Sequence, residues 1–358
     1  MVRDIGVLVV DDSAFMRKML TDILESSRDI KVVGTARDGL EALKKVKELN
    51  PDIITLDVEM PSMDGLSCLK ELQKITDTPV IMLSSHTGTG EKATIEALEA
   101  GALDFITKPT GLFDISGEEK KKEIIEKVKM ARLIGPGRYK AERPVSVLPQ
   151  TKAAQTARTV RKYNDLKTLV VIGTSTGGPK ALQEVIPFIP EDIPAALVIV
   201  QHMPPGFTKS LAERLNTLSR LTVKEGENNE VIRPGFAYIA PGDFHMEVYS
   251  EGPDMKIRLT KNPPIGSLRP AVNVLMDSVA KTEFPNVIGV VMTGMGNDGK
   301  DGIVKMKKAN NAIIISQDEQ SCVVYGMPKS AVSTGVVDAI VPLKEISEVI
   351  VKYMGVDQ

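Results

Sequence analysis

Between residues 5 and about 125, short runs rich in Val and Ile alternate with amphipathic stretches. The runs GVLVV, KVVGTA, DIITLDV, PVIMLS and ALDFITK read as strands, because a brief apolar run bounded by polar or turn residues suits a strand covered on both faces. Five of them with helical stretches between predict a parallel sheet wrapped by helices. The segment EEKKKEIIEKVKMARLI then reads as a helix that closes the first domain, with Ile124, Ile125, Val128 and Leu133 near helical spacing. Beyond it, GPGRYKAERPVSVLPQTKAAQTARTVRKY has neither period and reads as a connector. From about residue 167 the alternation resumes with TLVVIGTSTGGPKALQEVIPFI, AALVIVQHMPP, VIGVVMTGMGNDG and NAIIISQD. A middle section, GFAYIAPGDFHMEVYSEGPDMKIRL, alternates apolar and polar residues around turn signals and predicts antiparallel hairpins inserted in a second α/β domain. The expected divisions are a first domain over 1–125, a linker over 126–163 that starts helical and becomes basic and flexible, and a second domain over 164–358. That second domain is expected to be doubly wound and mainly parallel.

Composition adds limits. A chain of 358 residues, 42% hydrophobic and 26% charged, suffices for two cores. A net charge of −2 gives no global drive toward nucleic acid. The connector carries seven basic residues from Arg138 to Lys162 against one acidic residue, Glu142, but few aromatics interleave them, so it reads as solvated. Cys68 and Cys322 stand far apart and support neither a disulfide framework nor a metal knuckle, which fits a reducing compartment. No apolar run reaches the length of a signal peptide or a membrane span, so a cytoplasmic location without membrane insertion is expected.

The first domain concentrates carboxylates where ligands bind parallel sheets, at the carboxyl ends of strands. Asp11 and Asp12 follow the first strand and Asp57 ends the third. Three converging carboxylates repel one another unless a cation joins them, and an oxygen-preferring divalent ion, most simply Mg²⁺, answers that need. Ser84 at the end of the fourth strand adds a hydroxyl, and Lys108 after the fifth adds a positive charge. Any one of these aspartates alone would more simply cap a helix; the five positions together describe a phosphoryl site.

The motifs VLVVDDS, ITLDVEMPSMDG, VIMLSS and DFITKP resemble the receiver domain of two-component response regulators. The resemblance implies a flavodoxin-like (βα)5 fold, phosphoryl transfer to Asp57 from a histidine kinase, and Mg²⁺ held by Asp11, Asp12 and Asp57 with the Glu59 carbonyl. It also implies that Ser84 and Lys108 contact the phosphoryl oxygens and that Phe105 occupies an aromatic switch position.

In the second domain, VVIGTSTGGPK places Ser175 on a tight turn between a strand and a helix and fits G-x-S-x-G through Gly173 and Gly177. A phosphate-binding loop fits less well, because Pro179 precedes Lys180 and no hydroxyl follows. A serine nucleophile needs a base, and the chain has three histidines, His86, His202 and His245. Of these His202 ends a strand at the rim where Ser175 stands. The stretch GVVMTGMGNDG contains G-x-G-x-x-G through Gly294, Gly296 and Gly299, with Asp318 about twenty residues on. A carboxylate in that loop would repel a pyrophosphate, so Asp298 reads instead as the third member of a triad. The Met295 N–H is then a candidate oxyanion donor, assisted by Thr176.

The order Ser, His, Asp differs from that of the α/β-hydrolases. GTSTGG, VQHMPPGFT, APGDFHM, LRPAVNVLMDS and TGMGNDG resemble the catalytic domain of the chemotaxis protein-glutamate methylesterase family, whose members often carry Ala at position 174 and Asp at 273 where this chain has Thr174 and Asn273. The resemblance implies a phosphorylation-activated esterase that hydrolyses glutamyl methyl esters of methyl-accepting chemoreceptors and deamidates glutamines there, with no cofactor in the esterase site. Two competing readings are a DNA-binding response regulator and a scaffold carrying an inactive esterase domain. The first lacks a helix-turn-helix signal.

Overall fold

The computed structural model describes residues 4–108, 118–134 and 166–355. These fall into two compact units, one ending at Ile134 and one beginning at Leu166. No helix among the described residues is long and apolar enough to cross a membrane.

The first unit has five parallel strands, β1 (Ile5–Val10), β2 (Ile30–Ala36), β3 (Ile53–Asp57), β4 (Val80–Ser84) and β5 (Asp104–Thr107), in the order β2-β1-β3-β4-β5. Helices α1 (Ala14–Glu25), α2 (Gly39–Leu49), α3 (Gly65–Ile75) and α4 (Gly88–Glu99) lie between them. Strands β1 and β3 are buried along their whole length, which is why they read as unbroken apolar runs. The order reverses at β1, so the crevice of this sheet opens at the carboxyl ends of β1 and β3, above Asp11 and Asp57.

Helix α5 (Glu118–Ile134) runs across the expected division at residue 125. Ile124, Val128 and Ala131 are fully buried, whereas Leu133 is 78% exposed. Lys127 and Lys129 reach Asp104 at 3.2 Å and Asp29 at 2.9 Å in the body of the first unit. An apolar stripe at i, i+4 and i+7 with ion pairs beside it makes this helix part of the first domain. The basic remainder of the expected linker, 135–163, lies outside the described residues.

The second unit centres on seven parallel strands in the order β14-β13-β12-β6-β7-β9-β8. They are β6 (Thr168–Thr174), β7 (Ala195–Gln201), β8 (Thr222–Glu225), β9 (Phe236–Ile239), β12 (Val287–Val291), β13 (Ile313–Gln317) and β14 (Ala339–Val341). Helices α6 (Gly178–Val185), α7 (Phe207–Leu218), α8 (Val272–Ala280), α9 (Lys300–Asn310), α10 (Met327–Val332) and α11 (Ile346–Tyr353) connect or flank them. The antiparallel insertion is smaller than the sequence pattern suggested. Among the described residues only β10 (His245–Glu251) and β11 (Asp254–Thr260) form a hairpin, while FAYI belongs to the main sheet as β9. The first strand of this unit, β6, lies inside the sheet between β7, which follows it, and β12, which comes much later, so the strand order reverses there and its carboxyl end is again the switch point.

Candidate functional site

In the first unit, the competing account of the strand-end aspartates, helix capping, is assigned to other residues. Ser13 caps α1 through the Met16 N–H at 3.3 Å, and Asp38 and Asp64 cap α2 and α3. Asp11, Asp12 and Asp57 each offer a carboxylate oxygen, all within 4.8 Å of one another. Asp11 and Asp57 are buried, and Asp12 is exposed. Lys108 Nζ lies 2.9 Å from Asp11 Oδ2 and 2.7 Å from Asp57 Oδ2. Burial, reinforced by the nearby Asp11 charge and only partly opposed by Lys108, pushes the Asp57 carboxyl up to about 6. Burial alone would lower Lys108, but its hydrogen bonds and charge interactions with Asp57 and Asp11 raise it.

One monovalent cation thus faces two buried carboxylates with a third beside them, and all three are hard oxygen donors. That set fits a divalent cation with oxygen preference. Glu59 is exposed and directs its N–H to Asp57 Oδ1 at 3.3 Å, which places its main chain at the same rim. A cavity of about 630 Å³ opens there, lined by Asp12, Glu59, Met60 and Thr89 among others.

Ser84 is turned toward α4. It is fully buried, with its hydroxyl within 3.3 Å of Gly90 O and accepting from Thr94 Oγ1 at 2.6 Å, so it is engaged with the first turns of α4. A phosphoryl contact requires it to exchange these partners. Phe105 is buried, with Lys127 Nζ 5.2 Å above its ring.

In the second unit, β7, β6 and β12 bring His202, Ser175 and the loop carrying Met295 and Asp298 to one edge. The last register pair of β6 and β7 is Thr174 with Gln201, so Ser175 and His202 are the next residues of adjacent strands. His202 N donates to Thr174 O at 3.2 Å, and Ser175 N to Thr293 O at 3.0 Å. The loop after β12 comes close because Gly294 has no side chain: a Cβ there would lie 2.8 Å from Ser175 Cβ and 2.4 Å from Met327 Sδ.

His202 Nε2 and Asp298 Oδ2 are 2.8 Å apart, both side chains nearly buried. Asp298 also accepts from Val272 N at 2.6 Å, Asn273 N at 2.8 Å and Gly299 N at 3.0 Å. Val272 and Asn273 open α8, so the carboxylate sits on a helix N-terminus. Burial alone would raise Asp298, but His202 and these amides hold it below the usual carboxylate range. An anionic Asp298 accepting from Nε2–H leaves Nδ1 as the basic nitrogen. Among the described residues neither His202 Nδ1 nor the Ser175 hydroxyl has a hydrogen-bond partner, and the Met295 N–H donates to none.

Asn273 directs Oδ1 to Gly302 N at 2.8 Å, joining α8 to α9, and Thr174 Oγ1 donates to Thr293 O at 3.0 Å. The departures from the family pattern thus serve the scaffold of the site. His245 is buried in β10 with Nε2 3.2 Å from Pro263 O. Sequence reasoning missed the two α8 amides, because a backbone donor carries no residue signature, and it missed Gln201, which passed as the polar end of a strand.

Comparisons with known proteins find relatives of both units. Residues 170–350 match the CheB methylesterase family and residues 7–116 the response regulator receiver domain family. The chain is 47% identical over 356 residues to a Pyrococcus horikoshii protein named protein-glutamate methylesterase/protein-glutamine glutaminase, covering 99% of this chain and 95% of that one. A Thermotoga maritima protein of the same name is 46% identical over 352 residues, covering 98% and 99%. The crystal structure of the Thermotoga maritima CheB methylesterase catalytic domain aligns with a TM-score of 0.50 at 46% identity, covering 52% of this chain and 97% of that one. The resemblances seen in the motifs are borne out over both units.

Proposed function

Since the chain belongs to the CheB methylesterase family and carries a response regulator receiver domain ahead of its catalytic domain, we propose that it demethylates chemoreceptors during chemotactic adaptation, under control of phosphorylation at Asp57. The reaction is hydrolysis of glutamyl methyl esters to glutamate and methanol, with deamidation of glutamine as the companion activity.

Ser175 attacks the ester carbonyl while His202 Nδ1 takes its proton, and Asp298 holds the Nε2–H tautomer and stabilises the imidazolium that forms. The Met295 N–H, beside Ser175 across Gly294, receives the oxyanion, with Thr176 assisting. The imidazolium returns the proton to the departing methoxide, releasing methanol and leaving an acyl-enzyme. His202 then deprotonates water for the second half-reaction. Glutamine follows the same path with ammonia leaving. The observation that carries this reading is the 2.8 Å His202–Asp298 contact at the strand end next to Ser175.

In the receiver, Asp11, Asp12 and Asp57 would hold Mg²⁺ with the Glu59 carbonyl. That ion would neutralise the carboxylates and the incoming phosphoryl oxygens. Lys108 balances the remaining charge, Ser84 contacts the phosphoryl group after leaving Gly90 and Thr94, and a chemotaxis histidine kinase is the donor. Such a protein works in the cytoplasm, on the cytoplasmic parts of its receptors.

The test is methanol release from methylated receptor membranes by the wild type and by Ser175→Ala. Release by the wild type that falls at least 10³-fold in the variant is expected, on the order seen when a triad nucleophile is lost. Undiminished release by Ser175→Ala would remove the nucleophile, and none from the wild type would remove the substrate.

A further inference from the structure

Beyond the triad, the edge of the sheet holds a polar side chain that the reaction scheme does not use. Gln201, the last residue of β7, is 2% exposed. Its Nε2 donates to Ser175 O at 3.0 Å and to His202 O at 3.2 Å. Both hydrogens of one carboxamide are thus spent on the main chain of two residues, the nucleophile and the base. A buried amide with both hydrogens satisfied has little freedom to rotate.

The position of this contact matters because it lies just past the ladder. Regular pairing of β6 with β7 ends at Thr174 and Gln201, and the His202 N to Thr174 O bond is its last rung. After that the two chains part, one into the turn before α6 and the other into the Pro204–Pro205 loop. On its other side Ser175 is tied to β12 through Thr293 O, and Thr293 N is itself fixed by Gln317 Oε1 at 2.8 Å. The Ser175 hydroxyl and His202 Nδ1 have no hydrogen bond to set their distance, so the backbone sets it. We propose that Gln201 is a positioning residue for the hydrolysis, its carboxamide fixing the spacing between Ser175 and His202.

The proposal rests on the reading of Ser175 and His202 as nucleophile and base. Gln201→Met keeps the shape without the two donors. Gln201→Glu keeps the shape too; facing two carbonyl oxygens in a buried place, its carboxyl stays neutral to higher pH than usual, and the neutral acid supplies one donor where the anion supplies none.

The full chain is assayed for methanol release from methylated receptor membranes, for the rate of Ser175 labelling by a fluorophosphonate, and for thermal unfolding. Gln201→Met should lower kcat about 10- to 100-fold, in line with the cost of a misplaced reacting group. KM should stay within twofold, and labelling should slow in parallel while the unfolding transition remains cooperative. The rate of Gln201→Glu relative to wild type should rise as pH is lowered, a response a purely structural role would not produce.

A Gln201→Met enzyme within twofold of wild-type kcat overturns the proposal, as does a loss confined to KM. Should that variant not fold, Gln201→Glu decides, and a ratio to wild type that is flat with pH overturns it. Ser175→Ala is run alongside: if it stays active the underlying reading fails as well, whereas an inactive Ser175→Ala beside an unimpaired Gln201→Met overturns the role of Gln201 alone.

Discussion

As the proposed phosphoacceptor Asp57 must be anionic to react, yet its surroundings resist that charge. Asp298 is a buried aspartate with the opposite shift, held low by His202 and the first amides of α8. Asp57 has one cation shared with Asp11 and a like charge at close range, and its carboxyl is pushed to about 6. A native carboxyl raised above its unfolded value binds a proton more tightly in the folded chain. Its contribution to stability is therefore complete below the unfolded value near 3.8 and is lost as pH rises through about 6. Without Mg²⁺, Asp57→Asn should then be more stable than wild type by about 1–3 kcal/mol at pH 7.5. The gain should shrink toward pH 4, where the wild-type carboxyl is protonated. Hydrogen exchange of the β1 and β3 amides in the full chain, followed across that range, measures it. A difference between variant and wild type that is constant from pH 4 to 7.5 would refute the raised carboxyl.

At the scale of elements, the proposed triad depends on how closely α8 approaches β6. Gly173 allows it: a Cβ there would lie 2.4 Å from Val272 Cγ1 and 2.9 Å from Cγ2. Gly173→Ala should push the start of α8 outward and loosen the Val272 and Asn273 amides from Asp298. The expected cost is about 1–3 kcal/mol of stability, typical of overpacking, together with lower kcat. Val272→Ala removes both colliding methyl groups, so the double variant should recover part of both losses, read by thermal unfolding and methanol release. A double variant no better than Gly173→Ala would mean that the crowding is not where the damage arises. The sequence displayed Gly173 as part of G-x-S-x-G but gave no sign that Val272, about a hundred residues later, made glycine necessary. The same limit explains β9: alternation shows that FAYI is a strand, not whether its neighbour runs parallel or antiparallel. Ser84 illustrates it at the side-chain level, since its position at the end of β4 was plain while its rotation toward Gly90 and Thr94 depends on α4 packing. The side chains proposed to react could be named from the sequence, because charge and nucleophilicity at strand ends are written in residue type.

For the whole molecule, two sheets with different strand orders each gather polar side chains at the switch point, one site proposed to take a phosphoryl group and one proposed to cleave an acyl bond. For the first to govern the second, phosphorylation must stabilise a conformation in which the esterase is more active, and a tenfold activation requires about 1.4 kcal/mol of preference. The receiver has a local means of generating such a preference. A phosphoryl group on Asp57 competes for Lys108, now shared with Asp11, and offers Ser84 acceptors to replace Gly90 O, which ties the state of Asp57 to the start of α4. Acetyl phosphate should therefore raise methanol release by the wild type. Asp57→Asn, lacking the acceptor, should bring the ratio of rates with and without acetyl phosphate to one. Ser84→Ala can still be phosphorylated but cannot make the exchange, and its ratio should fall between the two. The comparison within each variant is the informative one, since each substitution also alters the packing of its own pocket. Stimulation persisting in Asp57→Asn would place the phosphodonor effect at another residue. A Ser84→Ala ratio equal to wild type, with equal phosphorylation, would instead leave Lys108 as the element of this pocket through which Asp57 acts.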